Sequence, residues 1–585
     1  MISRICRPAY NIKWKSSLVA AFSTKCRDYS HACDSSNSIQ LSALATAALL
    51  CASSPLFTNS ENQCTAEPSH PSPTPANINL DEKFEDEAPD LDKLPIYTSD
   101  QVAINNGKDG KPIWMSYGGV VYDVTNFIYN HPGGSERILL AAGGAVEPYW
   151  HLYRQHFASD LPMRLMEGMI VGNLKEEDQE AIDDQMAKMI DENEDPYTHE
   201  PMRSDLLIVH GDQPMNAEVP GEILLDQYMT PNDIFYIRHH HPVPFLVQQD
   251  IDDFELEIDV SRYAKDLGTS NNNPLKMTME DLKALPKVDV VTTLQCSGNR
   301  RGDMNGIRKT SGTSWSQGAI STAKFSGARL TDVLKAAGVK DPISLTEKDG
   351  TQKHLRMESL DGMKASINME KATNPYGDVI IAYEMNDVPI PRDHGFPLRV
   401  IVPGFAAVRN VKWLKKIEVA DSEAEGAWQQ GLNYKTLPPN VTDAKKIDLA
   451  KMPSMTEVAV FSGIATLDIV GKPQLKAGKT VMVKAKGWAW AGGGRNIVRV
   501  DITGDNGKTW QSAEITQGGD QRFGRAWAWV FWECEVPAIV KRDGTVELAS
   551  KAVDMAFNSQ PESCAHGWNV RGLGNNSWHH ASTRS

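Results

Sequence analysis

A histidine followed by proline and two glycines, His131-Pro132-Gly133-Gly134, is the feature that most restricts how this chain can fold. Proline fixes one backbone dihedral and glycine lets the backbone pass close to another group, so the tetrapeptide predicts a rigid loop that presents its histidine. Apolar residues alternate with turn signals over 95–128, which predicts short strands before the loop. A helix-like segment, 136–142, follows it. The region therefore predicts a small α+β unit built around a ligand-binding loop.

Two further histidines, His151 and His156, come after that segment. A b-type haem needs two neutral imidazoles on opposite faces of its ring. Residues 93–175 resemble cytochrome b5, and the resemblance implies a haem-binding α+β domain in which His131 and His156 bind the iron. His151 stays open as an alternative second ligand. The sequence has no Cys-x-x-Cys-His motif, so covalently attached haem is not expected.

The first 85 residues have the composition of a targeting segment. Several basic residues and no acidic one precede Asp28, and serine is frequent, which is typical of a mitochondrial transit peptide. A charge-free stretch over 35–60 is too short in its apolar part and too rich in Ser and Thr for a membrane span. We therefore expect residues 1–85 to direct the chain to the mitochondrial intermembrane space, without membrane association after processing. A disordered cytosolic tail and a single-pass anchor are the alternatives.

A β-branched run over 288–294 predicts a strand that ends in Gln295-Cys296-Ser297-Gly298-Asn299-Arg300-Arg301. A cysteine flanked by glycine and two arginines at a strand end is in a setting that favours thiolate, the form that binds metals. From these residues alone, a metal ligand, a nucleophile and a buried thiol all stay open. Cys534 and Cys564 are isolated in the sequence and are expected to be small buried residues.

Five blocks in one order resemble the molybdopterin domain of sulfite oxidases. They are 236–244, 295–301 followed by Trp315 and 318–323, 382–386, 391–399, and 411–414. The resemblance implies a mixed α+β domain over 201–440 that binds a molybdenum–molybdopterin cofactor. It implies that the Cys296 thiolate is the protein ligand of molybdenum.

The resemblance also implies which side chains surround the metal. The implied pterin contacts are Tyr236, Ile237, Arg238, His239, His240, Asp361, His394, Arg399, Asn410, Val411 and Lys412. The implied catalytic residues are Cys296, Arg238, Arg301, Trp315, Tyr383 and Arg571. Sulfite and sulfate are dianions that match guanidinium groups, so the arginines would bind substrate. Trp315 would be a wall of the pocket and Tyr383 a hydrogen-bond donor beside the metal, whereas a structural salt bridge is the alternative for Arg571.

His239 and His241 depart from the family, which more usually has Asn and Leu around the retained His240. Three consecutive histidines suggest a metal site. However, neighbouring residues on a strand point to opposite faces, so they rarely share one ion. We therefore interpret His240 as a pterin contact.

Two further segments complete the predicted organisation. Residues 176–200 are strongly acidic and predict a flexible linker, part of which could be a polar helix. Residues 441–585 alternate apolar and polar positions over 480–486, 496–503, 527–535 and 545–551, with glycine-rich turns between them, which predicts a β-sandwich. The resemblance implies that this immunoglobulin-like domain forms a homodimer.

The favoured hypothesis is an enzyme that oxidises sulfite to sulfate and passes electrons through the haem to cytochrome c. The net charge of −15 disfavours nucleic acid as a partner and suits a basic electron acceptor. One alternative is a nitrate-reductase-like molybdoenzyme, although there the haem module follows the molybdenum domain and a flavin portion comes after. The other is a haem electron-transfer protein on an inactive scaffold, against which Cys296, Arg301 and Tyr383 argue.

Overall fold

The computed structural model describes residues 93–128, 131, 138–157, 161–189, 195–263, 273–345, 347–348, 351–442 and 447–584. The predicted targeting segment and the Pro132-Gly133-Gly134 part of the histidine loop lie outside these residues. The described chain is α+β. A small module with one sheet and short helices, called the haem module here, comes first, a larger region of mixed helices and strands follows, and a β-sandwich comes last, which confirms the predicted fold class.

The first module is one sheet covered by short helices. Its elements are β1 (Ile96–Tyr97), α1 (Ser99–Ile104), β2 (Trp114–Tyr117), β3 (Val120–Asp123), β4 (Gly144–Ala145), α2 (Glu147–Leu152), α3 (Leu161–Glu167) and β5 (Ile170–Leu174). The sheet order is β1-β5-β3-β2-β4. Met115 and Tyr122 on the sheet pack against Trp150 of α2, and this packing holds α2 over one face. The described part of the predicted helix 136–142 contains a 3-10 turn at Leu139–Ala141.

The acidic segment predicted as a linker is in part a helix, α4 (Glu176–Met189). Three acidic residues lie in its first turn, where they interact favourably with the helix dipole. The helix packs on the haem module, because the N–H of Gly119 donates to Gln179 Oε1 (2.9 Å) and the N–H of Ser99 donates to Asp178 Oδ2 (2.7 Å). The predicted acidic segment therefore begins with a helix that is hydrogen-bonded to the haem module.

The middle region contains two larger sheets. Its elements are β6 (Ile208–Asp212), β7 (Met215–Glu218), β8 (Ile237–Arg238), α5 (Gln248–Asp252), β9 (Glu255–Asp259), β10 (Leu275–Thr278), α6 (Met279–Ala284), β11 (Lys287–Gln295), α7 (Arg301–Ile307), β12 (Ile320–Arg329), α8 (Leu330–Ala336), β13 (Glu347–Lys348), β14 (Thr351–Gln352), β15 (His354–Ser359), β16 (Lys364–Asn368), α9 (Met369–Thr373), β17 (Ile380–Met385), β18 (Val388–Pro389), β19 (Arg399–Ile401) and β20 (Leu414–Ala420). One sheet has the order β10-β9-β20-β15-β16 and the other β11-β12-β17-β18, with β19 beside β17. The predicted strand before Cys296 is β11.

Two four-stranded sheets form the C-terminal sandwich, as predicted. The strands are β21 (Val460–Ile469), β22 (Thr480–Ala491), β23 (Ile497–Thr503), β24 (Gln511–Ser512), β25 (Glu514–Gln517), β26 (Val530–Ile539), β27 (Val546–Asp554) and β28 (His579–Thr583). Their orders are β21-β22-β26-β25 and β24-β23-β27-β28. The Nε1–H of Trp490 donates to Gln295 Oε1 (2.6 Å), so the sandwich braces the residue next to Cys296. Among the helices of the described chain, none has the length and apolar character needed to cross a membrane.

Candidate functional site

Cys296 lies directly after β11 in a tight turn. The N–H of Asn299 donates to the carbonyl of Cys296 (2.9 Å), and the N–H of Cys296 donates to Ala319 (3.0 Å) on the neighbouring chain segment. The thiol sulfur accepts the N–H of Gly298 at 3.4 Å, and the residue is 7% exposed. The sheet edge therefore fixes this thiol at the base of a cavity.

The two arginines after the thiol have different roles. Arg300 has a left-handed backbone (φ 61°), and its guanidinium donates to the carbonyls of Ser577 (2.7 Å) and Trp578 (2.8 Å). Arg301 is buried, which lowers its pKa, and the charge of the Cys296 thiolate acts in the opposite direction. Arg301 is therefore the arginine that interacts electrostatically with the thiol, whereas Arg300 joins the loop to the C-terminal segment.

A cavity opens beside the thiol. The predicted site residues that line it are Tyr236, Arg238, His239, His240, Cys296, Asp361, His394, Arg399, Asn410 and Lys412. They come from β8, the turn after β11, the turn after β15 and the segment between β18 and β20. The fold therefore collects in one cavity most of the residues that the resemblance implied.

Buried cations dominate one side of the cavity. Lys412 Nζ donates to the carbonyl of Asp393 (3.0 Å), and Arg399 donates to the carbonyls of Asn410 (3.1 Å) and His394 (3.0 Å). Burial lowers the pKa of Arg399 to about 10 and that of Lys412 well below its ordinary value. Desolvated cations bonded to neutral carbonyls gain stability from an anion, so these groups suit a phosphate.

The three consecutive histidines have three different partners. His239 Nε2 lies 3.0 Å from the carbonyl of Asp393, His240 Nε2 lies 3.2 Å from the Tyr434 hydroxyl, and His241 Nδ1 lies 3.1 Å from Asp361 Oδ2. The three side chains therefore contact three different groups of the protein.

A separate group could offer ligands to a cation. Glu200, His239 and Asp393 bring three potential ligand atoms within 4.8 Å of one another. However, the guanidinium of Arg203 bonds both carboxylates, with Asp393 Oδ1 at 2.7 Å. Arg203 therefore already occupies both carboxylates of this group and offsets part of their negative charge, and it anchors the segment that enters the middle region.

Tyr434 lines the cavity together with Tyr236, whereas Tyr383 does not. The Tyr434 hydroxyl meets His240, and burial together with the Cys296 thiolate raises its pKa. Residues of β17 alternate between two core clusters: Ala382 faces the cluster that contains Cys296, and Tyr383 faces the other. The expectation that Tyr383 lies beside the metal ligand is therefore corrected. Sequence reasoning missed Tyr434 because its segment, Asn433-Tyr434-Lys435, was outside the five blocks.

The predicted substrate arginines converge from distant segments. Arg238 Nη2 lies 3.2 Å from His240 Nδ1, and Arg301 Nε donates to the carbonyl of Arg571 (2.9 Å). The side chain of Arg571 donates to Ser311 Oγ (3.0 Å) and to Asn433 Oδ1 (2.9 Å), next to Tyr434. The C-terminal segment thus brings Arg571 against Arg301, although neither side chain lines the cavity itself.

Three other predicted residues lie outside the cavity lining. Trp315 is fully buried, and its ring packs edge-on against His210 at a centroid distance of 5.0 Å. Ile237 and Val411 are in the two core clusters on either side. The side chains of Ile237 and Val411 pack in the hydrophobic core, and this packing fixes the backbone of the cavity residues next to them in the sequence.

The two expected haem ligands face each other in the first module. The rings of His131 and His156 have centroids 6.0 Å apart and planes 13° apart. Their spacing leaves room for one metal ion between two nitrogen ligands at bond lengths of about 2 Å. His156 Nδ1 lies 2.7 Å from the carbonyl of Tyr153; as the donor of that bond it leaves the lone pair on Nε2. The residues therefore fit a bis-histidine haem.

His151, the alternative ligand, lies on α2 in a different setting. Burial lowers the pKa of the His151 imidazole, and the positive charge of Arg154 lowers it further. Arg154 Nε also donates to the carbonyl of His151 (3.2 Å). The ring pair described at His131 involves His156 and not His151. The geometry thus favours His156.

Comparison with known proteins identifies three domains in the chain. Three family descriptions match: "Cytochrome b5-like Heme/Steroid binding domain" over 98–175, "Oxidoreductase molybdopterin binding domain" over 240–428 and "Mo-co oxidoreductase dimerisation domain" over 456–585. "Sulfite oxidase, mitochondrial" of Drosophila melanogaster is 41% identical over 83% of this chain and 80% of that protein. The protein of that name from Rattus norvegicus is 40% identical over 83% of each chain. A "Nitrate reductase [NAD(P)H]" of Hordeum vulgare is 34% identical over 64% of this chain and 41% of that protein.

Fold and sites together define a molybdenum-dependent oxidoreductase with a cytochrome b5-like module, whose cofactors are molybdenum–molybdopterin and b-type haem. The chain belongs to the sulfite oxidase family. The relatives' names indicate a mitochondrial location, and the matched dimerisation domain indicates a homodimer.

Proposed function

We propose that the chain oxidises sulfite to sulfate in the cavity beside Cys296 and passes the two electrons to an acceptor through the haem. Overall, sulfite and water give sulfate, two protons and two electrons. The observation that carries the proposal is one cavity that combines a buried thiol with Arg238, Tyr434 and two buried cations, Arg399 and Lys412. Family membership supports it independently.

The cofactor would be held at two ends. Cys296 is the proposed molybdenum ligand, and Arg399 and Lys412, with His394 beside them, are the proposed partners of the pterin phosphate. When bound, the molybdenum–pterin group supplies oxygen transfer to sulfur and accepts the two electrons. The protein side contributes a site whose charges are already in position, so little reorganisation is needed during the reaction.

The substrate is a dianion, and Arg238, Arg301 and Arg571 are the proposed groups that attract it. Arg301 rests on the carbonyl of Arg571, and Arg238 is fixed by Asn216, whose Oδ1 accepts from Nη1 at 2.7 Å. Arginines held this way present their remaining donors in a fixed direction, which favours a tetrahedral anion. Trp315 is proposed as a rigid wall behind this region.

Tyr434 is the proposed hydrogen-bond donor to the reacting oxygen atoms. Burial and the nearby thiolate keep its proton on the hydroxyl, because both raise its pKa. His240 is its partner on the protein side and holds the phenol in place. The phenol therefore donates a hydrogen bond at neutral pH.

The electrons would leave through His131 and His156 and the haem between them. Cytochrome c is the proposed acceptor and the mitochondrial intermembrane space the proposed location. The net charge of −15 supports a basic partner, because opposite charge accelerates encounter and makes the rate sensitive to salt. The basic, acid-poor residues before Asp28 support the location.

One anaerobic experiment tests the function. Sulfite is added to the oxidised protein with both cofactors bound, and the haem Soret band is followed. We expect the haem to be reduced, because electrons reach it only from a working molybdenum site. A molybdenum-replete protein whose haem stays oxidised would instead favour an inactive scaffold. Nitrate in place of sulfite, with a reduced haem, tests for nitrate reduction, and we expect no reoxidation.

A further inference from the structure

The strongest observation outside the two sites is a contact surface between them. The haem-ligand segment, residues 153–156, lies against two parts of the middle region: the Gln213 turn and the three-histidine segment. Both sides contribute residues whose roles the preceding sections leave unassigned. This surface is called the docking surface below and consists of Tyr153 and Arg154 on one side and of Gln213 and His241 on the other.

An aromatic contact forms its centre. The rings of Tyr153 and His241 lie 5.8 Å apart between centroids, inclined by 51°. Both residues are buried, so water is excluded from this contact. Aromatic pairs at this separation attract each other beyond the area they bury.

Arg154 holds the rim of the surface. Its Nη1 donates to Gln213 Oε1 (3.0 Å) and its Nη2 pairs with Asp195 Oδ2 (2.7 Å). The same guanidinium lies 5.2 Å from the ring centre of Tyr197. One side chain therefore joins the haem module both to the middle region and to the segment that enters it.

The docking surface connects the two redox sites by short contacts. On the haem side, His156 Nδ1 meets the carbonyl of Tyr153 at 2.7 Å. On the other side, His241 Nδ1 meets Asp361 Oδ2 at 3.1 Å, and Asp361 lines the molybdopterin cavity. A continuous set of packed and hydrogen-bonded groups thus runs from a proposed iron ligand to the wall of the cavity.

We propose that the docking surface holds the haem module in position for electron transfer, and that Tyr153 and His241 are positioning residues that bring the haem edge to the molybdopterin cavity. This inference rests on the proposed function and adds to it where the electrons cross. A haem held by His131 and His156 would take up the two electrons of sulfite one at a time, and the acceptor would remove each electron in turn. Neither Tyr153 nor His241 changes oxidation state.

The chemistry of His241 supports this role. A histidine at this position adds a ring that reaches Tyr153 on one side and a nitrogen that bonds Asp361 on the other. Its neighbours His239 and His240 bond elsewhere, to Asp393 and Tyr434. Of the three histidines, His241 is the one with a described ring contact to the haem module.

Two substitutions on the haem side test the proposal without touching the cavity: Tyr153→Leu and Arg154→Ala. Arg164→Ala, an exposed arginine on α3 of the same module, is the matched control. Two activities are compared in the holoenzyme. Haem reduction by sulfite, followed by stopped flow, requires transfer across the surface. Sulfite oxidation with ferricyanide, a small oxidant that reaches the cavity directly, does not require it.

We expect each test substitution to slow haem reduction by about tenfold, the effect of losing one hydrogen bond to a charged group or one packed ring. Ferricyanide-linked oxidation and the control variant are expected to keep the wild-type rates. Unchanged haem reduction in both variants would overturn the proposal. An equal fall in both activities would also overturn it, because the effect would then lie in the cavity.

Hydrogen exchange gives a readout that is independent of turnover. In Arg154→Ala we expect faster amide exchange over 151–157 and 239–243, whereas Arg164→Ala leaves both segments as protected as in the wild type. Equal protection in all three proteins would count against a docked haem module. Failure of the proposed function differs: the wild-type protein would lack ferricyanide-linked oxidation of sulfite, while the exchange data would still report docking.

Discussion

The haem site and the molybdopterin cavity are built in opposite ways. His131 and His156 lie in one small module, and the aromatic residues that pack on them, Phe127 and Trp150, come from the same stretch of chain. The cavity instead collects side chains from β8 to the segment around Tyr434, far apart in sequence. A site for a neutral pair of ligands can be local, whereas a site for a large anionic cofactor needs many segments to surround it.

Charge separates the two sites as well. The proposed haem ligands are imidazoles, and His156 is fixed by a backbone carbonyl and by the ring of Trp150, with 1° between the two ring planes. The cavity buries Arg399 and Lys412 against neutral carbonyls. Burying a cation is costly, and the carboxylates of Asp393 and Asp361 offset only part of that cost for Lys412, so an anion that binds there stabilises the cavity. We therefore expect loss of the cofactor to affect the two sites unequally.

The largest expected effect separates the sites completely. Cys296→Ser removes the proposed molybdenum ligand, and we expect sulfite oxidation to fall by about three orders of magnitude or more, since a hydroxyl is a far weaker ligand than a thiolate. The haem spectrum is expected to stay unchanged, because among the described residues no hydrogen bond, ion pair or ring contact joins this turn to the haem module. Steady-state assays with ferricyanide and a Soret spectrum check both statements. Persistent turnover would refute the ligand assignment.

A substitution at the haem site is expected to remove the haem and leave sulfite oxidation in the cavity unchanged. His156→Ala deletes one of two facing imidazoles, so haem binding and haem-linked turnover should be lost, while ferricyanide-linked oxidation continues. His151→Ala is the matched control from the same segment and should retain the haem. Absorbance of the purified variants decides the matter: haem retained in His156→Ala and lost in His151→Ala would reverse the assignment.

A pair of tyrosines tests the cavity alone. Tyr434→Phe removes a buried hydroxyl beside Cys296, and we expect kcat/KM for sulfite to fall by about a hundredfold, as for loss of one positioned donor. Tyr383→Phe is the control, because Tyr383 packs in the other core cluster, and should leave kcat/KM within about twofold. Equal losses in the two variants would return Tyr383 to the site.

The two tyrosines, Tyr434 and Tyr383, also show which features of the molecule can be predicted from the sequence. The facing histidines His131 and His156, the strand before Cys296 and the sandwich could be predicted, because each depends on local pattern: a loop motif, a β-branched run, a period of two. The cavity residues were predicted only through blocks of resemblance. Tyr383 was misassigned because strand alternation decides its face, and which face meets the cavity is a tertiary property.

The acidic segment was predicted as a flexible linker, part of which could be a polar helix, and the structure has a helix there. Its charges suggest a solvated tether, but Asp178 and Gln179 accept backbone N–H groups of the haem module, so part of it forms the docked helix α4. The composition of a segment predicts how well water solvates it, but it does not predict which backbone N–H groups of the folded protein will lie near its side chains. The contact between Tyr153 and His241 could not be predicted from the sequence either, because the residues around each of them do not indicate which distant residue it contacts.

The smallest expected effect concerns pH and again distinguishes the sites. Burial lowers the pKa of His394 to about 4, from an ordinary value of 6.5, and its Nε2 lies 2.9 Å from the carbonyl of Asn232. As pH falls below 6.5 the unfolded chain takes up a proton that the folded chain refuses, so the folded state loses stability on the acid side. Between pH 7 and pH 6 the loss is about 0.5–1 kcal/mol.

His394→Gln keeps a donor for that carbonyl and does not titrate, so its urea midpoint should fall less than that of the wild type over this range. Parallel shifts in the two proteins would contradict the assigned environment of His394. An anionic cofactor group beside this imidazole raises its pKa toward the ordinary value, because the anion favours the protonated ring. The fall in the wild-type urea midpoint between pH 7 and pH 6 should therefore be larger without the cofactor than with it. A change at the proposed haem ligands would not produce this dependence on the cofactor.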